Sequence, residues 1–171
     1  VPHGINEDIF KPVLQDSSFT SFRNKILGEK ASQIDFVLLF NSRNIRRKQI
    51  PDTILAYKHF IDQLPEDKAK RCAFVLHTQP VDENGTDLHA VVEYFCSDEK
   101  YNIIFSENPL NPNEMNYLYN MADATILLTS NEGWGLSLTE SLLTGTCIIA
   151  NVTGGMQDQM RFTDKKGKWI D

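Results

Sequence analysis

Short runs of apolar residues alternate along this chain with segments whose apolar residues are spaced as on one face of a helix. Five of the runs are nearly continuous, which is the pattern of strands buried on both faces of a parallel sheet. They are DFVLLF (35–40), CAFVLHT (72–78), YNIIF (101–105), ATILLT (124–129) and TCIIA (146–150). The runs therefore predict five buried strands.

Helical spacing predicts four helices between and after those strands. They are DTILAYKHFIDQL (52–64), TDLHAVVEYFC (86–96), NEMNYLYNMA (113–122) and GLSLTESLL (135–143). Asp52 and Thr86 open two of them, and Asp52 has a side chain suited to an N-cap. The segment 17–30 fits either a helix or a solvated connection with anchoring aromatic residues. The alternation predicts an α/β fold, a Rossmann-like doubly wound parallel sheet with helices on both faces.

The loops after the strands are the places to look for a site, because open α/β sheets bind ligands outside the carboxyl ends of their strands. These loops are 41–50, 78–86, 106–113, 129–135 and 150–155. Loop 129–135, TSNEGWG, leaves a strand and enters a helix, where glycines allow close backbone approach and free N–H groups attract anions. Gly154-Gly155 in the last loop fits either a close approach to a ligand or an ordinary turn.

Two carboxylates flank the glycine-rich turn. Glu132 precedes Gly133-Trp134-Gly135, and Glu140 lies about one turn inside the next helix. Carboxylates repel phosphate but accept hydrogen bonds from sugar hydroxyls. Next to a helix N-terminus they fit a ligand with both phosphate and sugar, such as a nucleotide sugar. The residues leave a second interpretation open, in which the turn is only a turn, Glu132 is solvated and Glu140 lies on the outer helix face.

A basic loop, NSRNIRRKQI (41–50), follows the first of the five strands. Arg43 and Lys48 are five residues apart, and an arginine fork and a lysine point charge both suit phosphate oxygens. Arg46 and Arg47 are expected to face solvent. A solvated basic loop without a ligand is the alternative that the sequence leaves open.

Composition narrows the possible functions. The 171 residues are 41% hydrophobic and 23% charged, which is typical of one globular domain. The net charge of −6 argues against a nucleic-acid partner or an anionic membrane surface. No run approaches the ~18–20 apolar residues of a membrane span. The scattered Cys72, Cys96 and Cys147 lack metal-ligand spacing and predict buried free thiols in a reducing compartment.

Together these motifs resemble the C-terminal, donor-binding domain of retaining glycosyltransferases of the GT-B type, which have two Rossmann-like domains, in family 4 (glycosyl transferases group 1). The similar segments are VPHGINEDIFKP, FVLLFNSRNIRRKQIPDTILAYKHF and NEMNYLYNMADATILLTSNEGWGLSLTESLLTGTCIIANVTGG. They contain the family's Arg-x4-Lys loop, Glu-x7-Glu motif and Gly-aromatic-Gly turn. Two positions differ, since Asn6 replaces a common Asp and Cys147 a common Pro.

The resemblance implies a role for each residue of these motifs. Arg43 and Lys48 would hold the diphosphate of a nucleotide sugar, and these cations would make a metal or other cofactor unnecessary. Glu132 would contact the donor sugar, and Glu140 would hold the ribose hydroxyls. Further donor contacts would come from the start of the helix, the loop at the base and the segment near the interdomain cleft. These residues are Gly133, Trp134, Gly135 and Leu136, then Asn108, Pro109 and Leu110, and finally His3 and Gly4.

The implied activity is a retaining, hexosyltransferase-like transfer (EC 2.4) of a sugar from a nucleotide-diphosphate donor to a hydroxyl of an acceptor sugar, lipid or protein. Two alternatives stay open, a non-catalytic nucleotide-sugar-binding or interaction module and a GT-B-type nucleotide-sugar epimerase or hydrolase. We expect 1–171 to be a single donor-binding domain, with 1–34 leading into it. The acceptor-binding N-terminal domain, its expected partner, and the closing C-terminal helices would lie outside the chain. We therefore expect the isolated domain to be inactive. The resemblance further implies a cytoplasmic location, with any contact with the cytoplasmic face of a membrane made by the other domain.

Overall fold

A five-stranded parallel sheet forms the centre of the computed structural model, which describes residues 4–160 and 162–170. The strands are β1 (Phe36–Asn41), β2 (Cys72–His77), β3 (Ile103–Phe105), β4 (Ala124–Leu127) and β5 (Cys147–Ala150). Their order across the sheet is β3-β2-β1-β4-β5, and every neighbouring pair is parallel. The predicted doubly wound α/β fold is confirmed, with strand ends that differ from the predicted ones by one or two residues.

Helices connect the strands and cover both faces of the sheet. They are α1 (Ser17–Leu27), α2 (Ile50–Asp62), α3 (Glu66–Ala69), α4 (Leu88–Phe95), α5 (Pro112–Asn120), α6 (Leu136–Thr144) and α7 (Gln157–Met160). A short antiparallel hairpin follows, made of β6 (Phe162–Thr163) and β7 (Trp169–Ile170). The segment 17–30, for which two interpretations were open, forms α1 over most of its length.

The N-cap predicted at Asp52 was wrong, and the helix predicted to open on Thr86 begins two residues later. Helix α2 begins two residues before Asp52, with Pro51 in its first turn, because proline has a fixed φ that suits the start of a helix. Helix α4 is capped by Asp87, whose carboxylate accepts a hydrogen bond from the backbone N–H of Ala90 at 3.1 Å. Asp is a stronger N-cap than Thr, so the cap moves one residue beyond Thr86.

Alternate residues of β1 pack on opposite faces of the sheet. Leu38 and Phe40 belong to an apolar cluster with side chains of α2 and α4. Val37 and Leu39 belong to a second cluster with side chains of α1 and α5. Burial on both faces explains why the strand reads as a continuous apolar run. It also gives the loop that follows β1 a rigid base.

The three cysteines do not share one environment. Cys72 and Cys96 are buried free thiols, as predicted, whereas Cys147 is exposed and the prediction for it was wrong. Cys147 begins β5, which lies at the edge of the sheet and alternates between exposed and partly buried residues. Among the residues described, no helix has the length and apolar character needed to cross a membrane.

The hydroxyl of Tyr57 predicts a stabilising substitution. Tyr57 is 1% exposed, its ring centroid lies 5.0 Å from that of Phe74, and its hydroxyl has no hydrogen-bond partner among the described residues. Burying a hydroxyl without a partner is unfavourable, so we expect Tyr57→Phe to raise the free energy of unfolding by about 1 kcal/mol. Urea denaturation measures the change, and a decrease of more than about 0.5 kcal/mol would contradict the prediction.

Candidate functional site

A cleft of about 500 Å³ opens at the carboxyl ends of β1 and β4. Its walls are the end of β1, the basic loop after it, the glycine-rich turn after β4 and the start of α6. The cleft is therefore built by the two loops, 41–50 and 129–135, that carry the sequence motifs. The charged side chains lining it are Arg47, Lys48, Glu132 and Glu140.

A larger cavity of about 820 Å³ lies at the amino ends of β2 and β3. Two lysines that line it are paired with nearby carboxylates, Lys70 with Glu66 at 2.6 Å and Lys100 with Asp62 at 2.9 Å. Parallel sheets bind ligands at the carboxyl ends of their strands. We therefore place the candidate site in the 500 Å³ cleft.

Backbone hydrogen bonds hold the two loops together. The carbonyl of Arg47 accepts a bond from the backbone N–H of Ser130 at 2.9 Å and one from the Thr129 hydroxyl at 3.0 Å. Gln49, just after the basic turn, is left-handed with φ 49° and is followed at once by α2. The basic loop is thus fixed at one end to the loop after β4 and at the other to a helix.

Lys48 and Glu132 form the central ion pair of the cleft. Lys48 is 6% exposed, and its ammonium contacts Glu132 Oε2. Arg47 Nη1 donates to the same oxygen at 3.1 Å. Burial acts to raise the pKa of Glu132, but the hydrogen bonds and charges of Lys48 and Arg47 outweigh it and hold that pKa below its ordinary value. The Glu132 side chain is only 11% exposed, so the interpretation of a solvated Glu132 was wrong.

Arg43 does not lie where the sequence suggested. Arg43 is outside the lining of the cleft, and its Nε and Nη2 donate to the two carboxylate oxygens of Asp82 at 2.8 and 3.2 Å. Arg47, which was expected to face solvent, lines the cleft although it is 43% exposed. Arg46 is exposed as predicted. The cation that accompanies Lys48 in the cleft is therefore Arg47.

Glu140 points toward α5, and the interpretation that placed it on the outer helix face was wrong. The hydroxyl of Tyr119 donates to Glu140 Oε2 and accepts a bond from Asn41 Nδ2 at 2.7 Å. Burial raises the pKa of Glu140, and the hydrogen bond from Tyr119 partly offsets the increase. Sequence reasoning missed Tyr119 and Asn41 as site residues, because their contacts join segments that are far apart in the chain.

The glycine-rich turn depends on Gly154-Gly155 for its position. Gly135 has φ 85° and forms the N-cap of α6, a conformation that favours glycine. The backbone N–H of Gly155 donates to the carbonyl of Glu132 at 2.9 Å, and a Cβ on Gly155 would lie 1.8 Å from the carbonyl oxygen of Gly133. The sequence left open whether Gly154-Gly155 allows a close approach to a ligand or forms an ordinary turn. In the structure these glycines lie against the backbone of the glycine-rich turn.

The other residues of the turn line the cleft as well. These are Gly133, Trp134 and Leu136, with Leu136 46% exposed. The indole N–H of Trp134 donates to the hydroxyl of Thr139 at 3.0 Å, which directs the ring along α6. The turn and the start of α6 therefore contribute Trp134 and the first residues of the helix to the wall of the site.

The loop 108–110, which is expected to contact the nucleotide base, does not line the cleft. Asn108 and Leu110 line a separate cavity of about 160 Å³ beyond β3, and Pro109 between them is exposed. Gly4 is exposed and is not part of the cleft lining, and His3 lies outside the described residues. Within 4–160 and 162–170, no three His, Cys, Asp or Glu side chains group as metal ligands would. That the site needs no metal stays a prediction.

The raised pKa of Glu140 predicts a pH-dependent effect on stability. A carboxyl whose folded pKa exceeds its unfolded pKa binds its proton better in the folded state, so its contribution to stability falls as the pH rises through the folded value. Glu140→Gln removes this ionisation but keeps an oxygen for Tyr119. We expect the variant to gain stability over the parent as the pH rises from about 4 to about 8.

Thermal unfolding of both proteins across that pH range measures the difference. Glu93→Gln is the matched control, because it removes the same charge from an exposed position of α4. The control should show no growing gain over the parent. A gain for Glu140→Gln that is constant or shrinks with rising pH would contradict the assignment.

Several solved structures have the same architecture as this chain. The C-terminal domain of the glycosyl transferase group 1 family protein LpcC from Francisella tularensis is 18% identical at a TM-score of 0.67, covering 98% of this chain and 80% of that one. Sucrose-phosphate synthase from Thermosynechococcus elongatus is 21% identical at 0.68, covering 92% of this chain and 35% of that one. WaaG, a glycosyltransferase involved in lipopolysaccharide biosynthesis, is 20% identical at 0.68, covering 93% and 39%.

These similarities define the class of fold, one Rossmann-like half of a GT-B architecture, and the chain spans little more than a third of the latter two proteins. The sequence profile of the family described as glycosyl transferases group 1 matches residues 85–171, half of the chain. The chain therefore belongs to the glycosyl transferases group 1. No curated protein sequence matches it significantly.

Proposed function

We propose that this chain is the nucleotide-sugar-binding half of a retaining, family 4 glycosyltransferase that transfers a sugar from a nucleotide-diphosphate donor to an acceptor hydroxyl. The observation that carries the proposal is the cleft, where Lys48 and Arg47 lie beside Glu132 and the start of α6. Cations and helix N–H groups suit phosphate, and carboxylates suit sugar hydroxyls. Membership of the glycosyl transferases group 1 supports glycosyl transfer.

The charges of the cleft fit the departure of a nucleoside diphosphate. As the bond to the sugar breaks, negative charge grows on the diphosphate and the sugar becomes oxocarbenium-like. Fixed cations and N–H groups stabilise such a leaving group without reorganising during the reaction. Lys48 is buried in position for this role. Because Arg47 lines the cleft whereas Arg43 pairs with Asp82 outside it, we assign the second phosphate contact to Arg47.

The two carboxylates take separate roles in this proposal. Glu132 contacts Lys48 in the cleft, so an incoming diphosphate competes with Glu132 for that lysine. The released carboxylate is then free to accept hydrogen bonds from the donor sugar. Glu140 lies further along α6 and binds the ribose hydroxyls. The loop 108–110 is the proposed contact of the base, and acceptor binding is left to the N-terminal domain.

Binding of nucleotide sugars tests the proposal directly. A panel of nucleoside diphosphates and their sugars is screened against the chain by saturation-transfer NMR in the presence of EDTA, and binders are measured by calorimetry. We expect at least one nucleoside diphosphate to bind without a metal. Glu132→Gln should weaken binding of the corresponding nucleotide sugar more than binding of the nucleoside diphosphate itself. Glu93→Gln in the exposed face of α4 is the matched control. Failure of every compound to bind would overturn the proposal.

Product analysis separates the remaining alternatives. In the protein that contains this chain together with an acceptor domain, a glycoside product supports transfer, and its anomeric configuration tests retention. An epimerised or free sugar would instead indicate the epimerase or hydrolase, and binding without turnover would indicate an interaction module. Equal turnover with Glu132 and with Gln at that position would contradict a catalytic role for Glu132.

A further inference from the structure

We propose that Tyr119 is a positioning residue that sets recognition of the ribose by orienting Glu140, an inference that rests on the proposed function. Tyr119 is 0% exposed and is not part of the cleft lining, so it acts only through its neighbours. Its hydroxyl lies between Asn41 at the end of β1 and Glu140 in α6. Three separate elements thus meet in one short hydrogen-bonded chain.

The direction of this chain follows from the chemistry of its members. An ionised carboxylate can only accept, so Tyr119 must give its single hydroxyl proton to Glu140. The phenol oxygen can then only accept from its other partner, which fixes the amide group of Asn41 toward it at 2.7 Å. Asn41 therefore donates to Tyr119, and Tyr119 donates to Glu140. The direction of both hydrogen bonds is fixed, so the Tyr119 hydroxyl stays directed at the carboxylate.

Tyr119 is itself held firmly in place. Its ring meets that of Phe10 edge to face with centroids 6.1 Å apart. The hydroxyl of Thr146 donates to its backbone carbonyl at 2.8 Å. The side-chain oxygen of Asn116, also in α5, accepts a hydrogen bond from the backbone N–H of Lys11 at 3.0 Å. This bond connects α5 to the segment before α1. A hydroxyl on such a support is a fixed reference point for Glu140.

The consequence for Glu140 is a preorganised acceptor. Tyr119 occupies Oε2, so the side chain that lines the cleft is held by one oxygen and keeps Oε1 for a ligand. One carboxylate oxygen has two lone pairs and can accept from both hydroxyls of a ribose. Without Tyr119, a partly buried glutamate would lose this orientation and would be harder to ionise. Because folding already fixes the orientation of Glu140, less conformational entropy is lost when a ligand binds, and the affinity is higher.

Comparison of ribose with 2′-deoxyribose tests the proposal. The nucleoside diphosphate that binds the chain best is measured by calorimetry beside its 2′-deoxy form, in the parent and in Tyr119→Phe. A hydrogen bond to a charged group predicts that the parent prefers the ribose form by about 10-fold or more. In Tyr119→Phe we expect the preference to fall to about 3-fold or less, with affinity for the deoxy form nearly unchanged.

A purely structural role for Tyr119 would lower both affinities equally and leave the preference intact, which would overturn the proposal. Tyr117→Phe is the matched control, because Tyr117 lies in the same helix and packs on Phe19 at 5.9 Å. This variant should keep the preference of the parent. If the parent binds no nucleoside diphosphate at all, the proposed function fails, and this outcome differs from a preference that survives in Tyr119→Phe.

A second measurement needs no nucleotide. NMR of the carboxyl carbon of Glu140 gives its pKa, which the Tyr119 hydrogen bond holds below the value that burial alone would produce. Tyr119→Phe should therefore raise the pKa of Glu140. The charged groups that share the cleft, Arg47, Lys48 and Glu132, are the same in both proteins. An unchanged pKa in the variant would overturn the coupling between Tyr119 and Glu140.

Discussion

Gly155→Ala is expected to destabilise the chain by about 3 kcal/mol or more and to abolish nucleotide binding. The added Cβ would lie 1.8 Å from the carbonyl oxygen of Gly133 and 2.7 Å from its carbonyl carbon. Both atoms belong to the backbone, so no side chain can rotate away and the glycine-rich turn itself must move. That movement displaces Glu132 and the start of α6, which together form one wall of the cleft.

Gly133→Ala in the same turn is the control for stability. A Cβ on Gly133 meets no atom within 4 Å, so its free energy of unfolding should stay within about 0.5 kcal/mol of the parent. Denaturant unfolding compares the two variants, and calorimetry measures nucleotide binding for Gly155→Ala. Equal stability of the two variants, with binding intact in Gly155→Ala, would show that the turn adapts and would contradict the prediction.

Lys48→Met should reduce the affinity for nucleoside diphosphates by about 100-fold or more, because the buried cation to which we assign the diphosphate is lost. The same variant leaves Glu132 with Arg47 as its remaining cationic contact in the cleft. We therefore expect a loss of stability as well. The double variant Lys48→Met with Glu132→Gln removes both charges of the pair, and it should recover stability without recovering affinity.

Calorimetry with the best-binding nucleoside diphosphate measures these affinities. Lys68→Met, an exposed lysine in α3, is the matched control and should bind as the parent does. Arg47→Ala and Arg43→Ala are then compared with one another. A larger loss for Arg47→Ala supports its assignment to the diphosphate, whereas a larger loss for Arg43→Ala would contradict it. Unchanged affinity in Lys48→Met would remove the basis for a phosphate site.

Local patterns were sufficient to predict the architecture and the location of the candidate site. The strand that contains Leu38 and Leu39 is buried on both faces, and its apolar run shows this directly. Parallel strands also place their following loops at one edge, so loops 41–50 and 129–135 were expected near each other. The edge position of β5 was not visible in the same way, because TCIIA reads like a central strand although Cys147 is exposed.

Details set by contacts between distant segments could not be read from the chain. Arg43 pairs with Asp82 outside the cleft. Because Asp82 follows a different strand, the sequence around Arg43 does not predict this ion pair. Tyr119 fits the apolar face of α5, so helical spacing assigns it to the core and gives no sign of its bond to Glu140. Gly155 shows its role only when the carbonyl of Gly133 is placed against it.

The contact between Lys48 and Glu132 means that the cleft contains an anion of its own. Ligand entry is therefore an exchange of one negative group for another. A free phosphate or sulfate ion would displace the Glu132 carboxylate without supplying the sugar hydroxyls that could donate hydrogen bonds to it. Under the proposed function, a nucleotide sugar would bring hydroxyls from which the displaced carboxylate accepts hydrogen bonds, so Glu132 would favour binding of the donor over binding of inorganic anions.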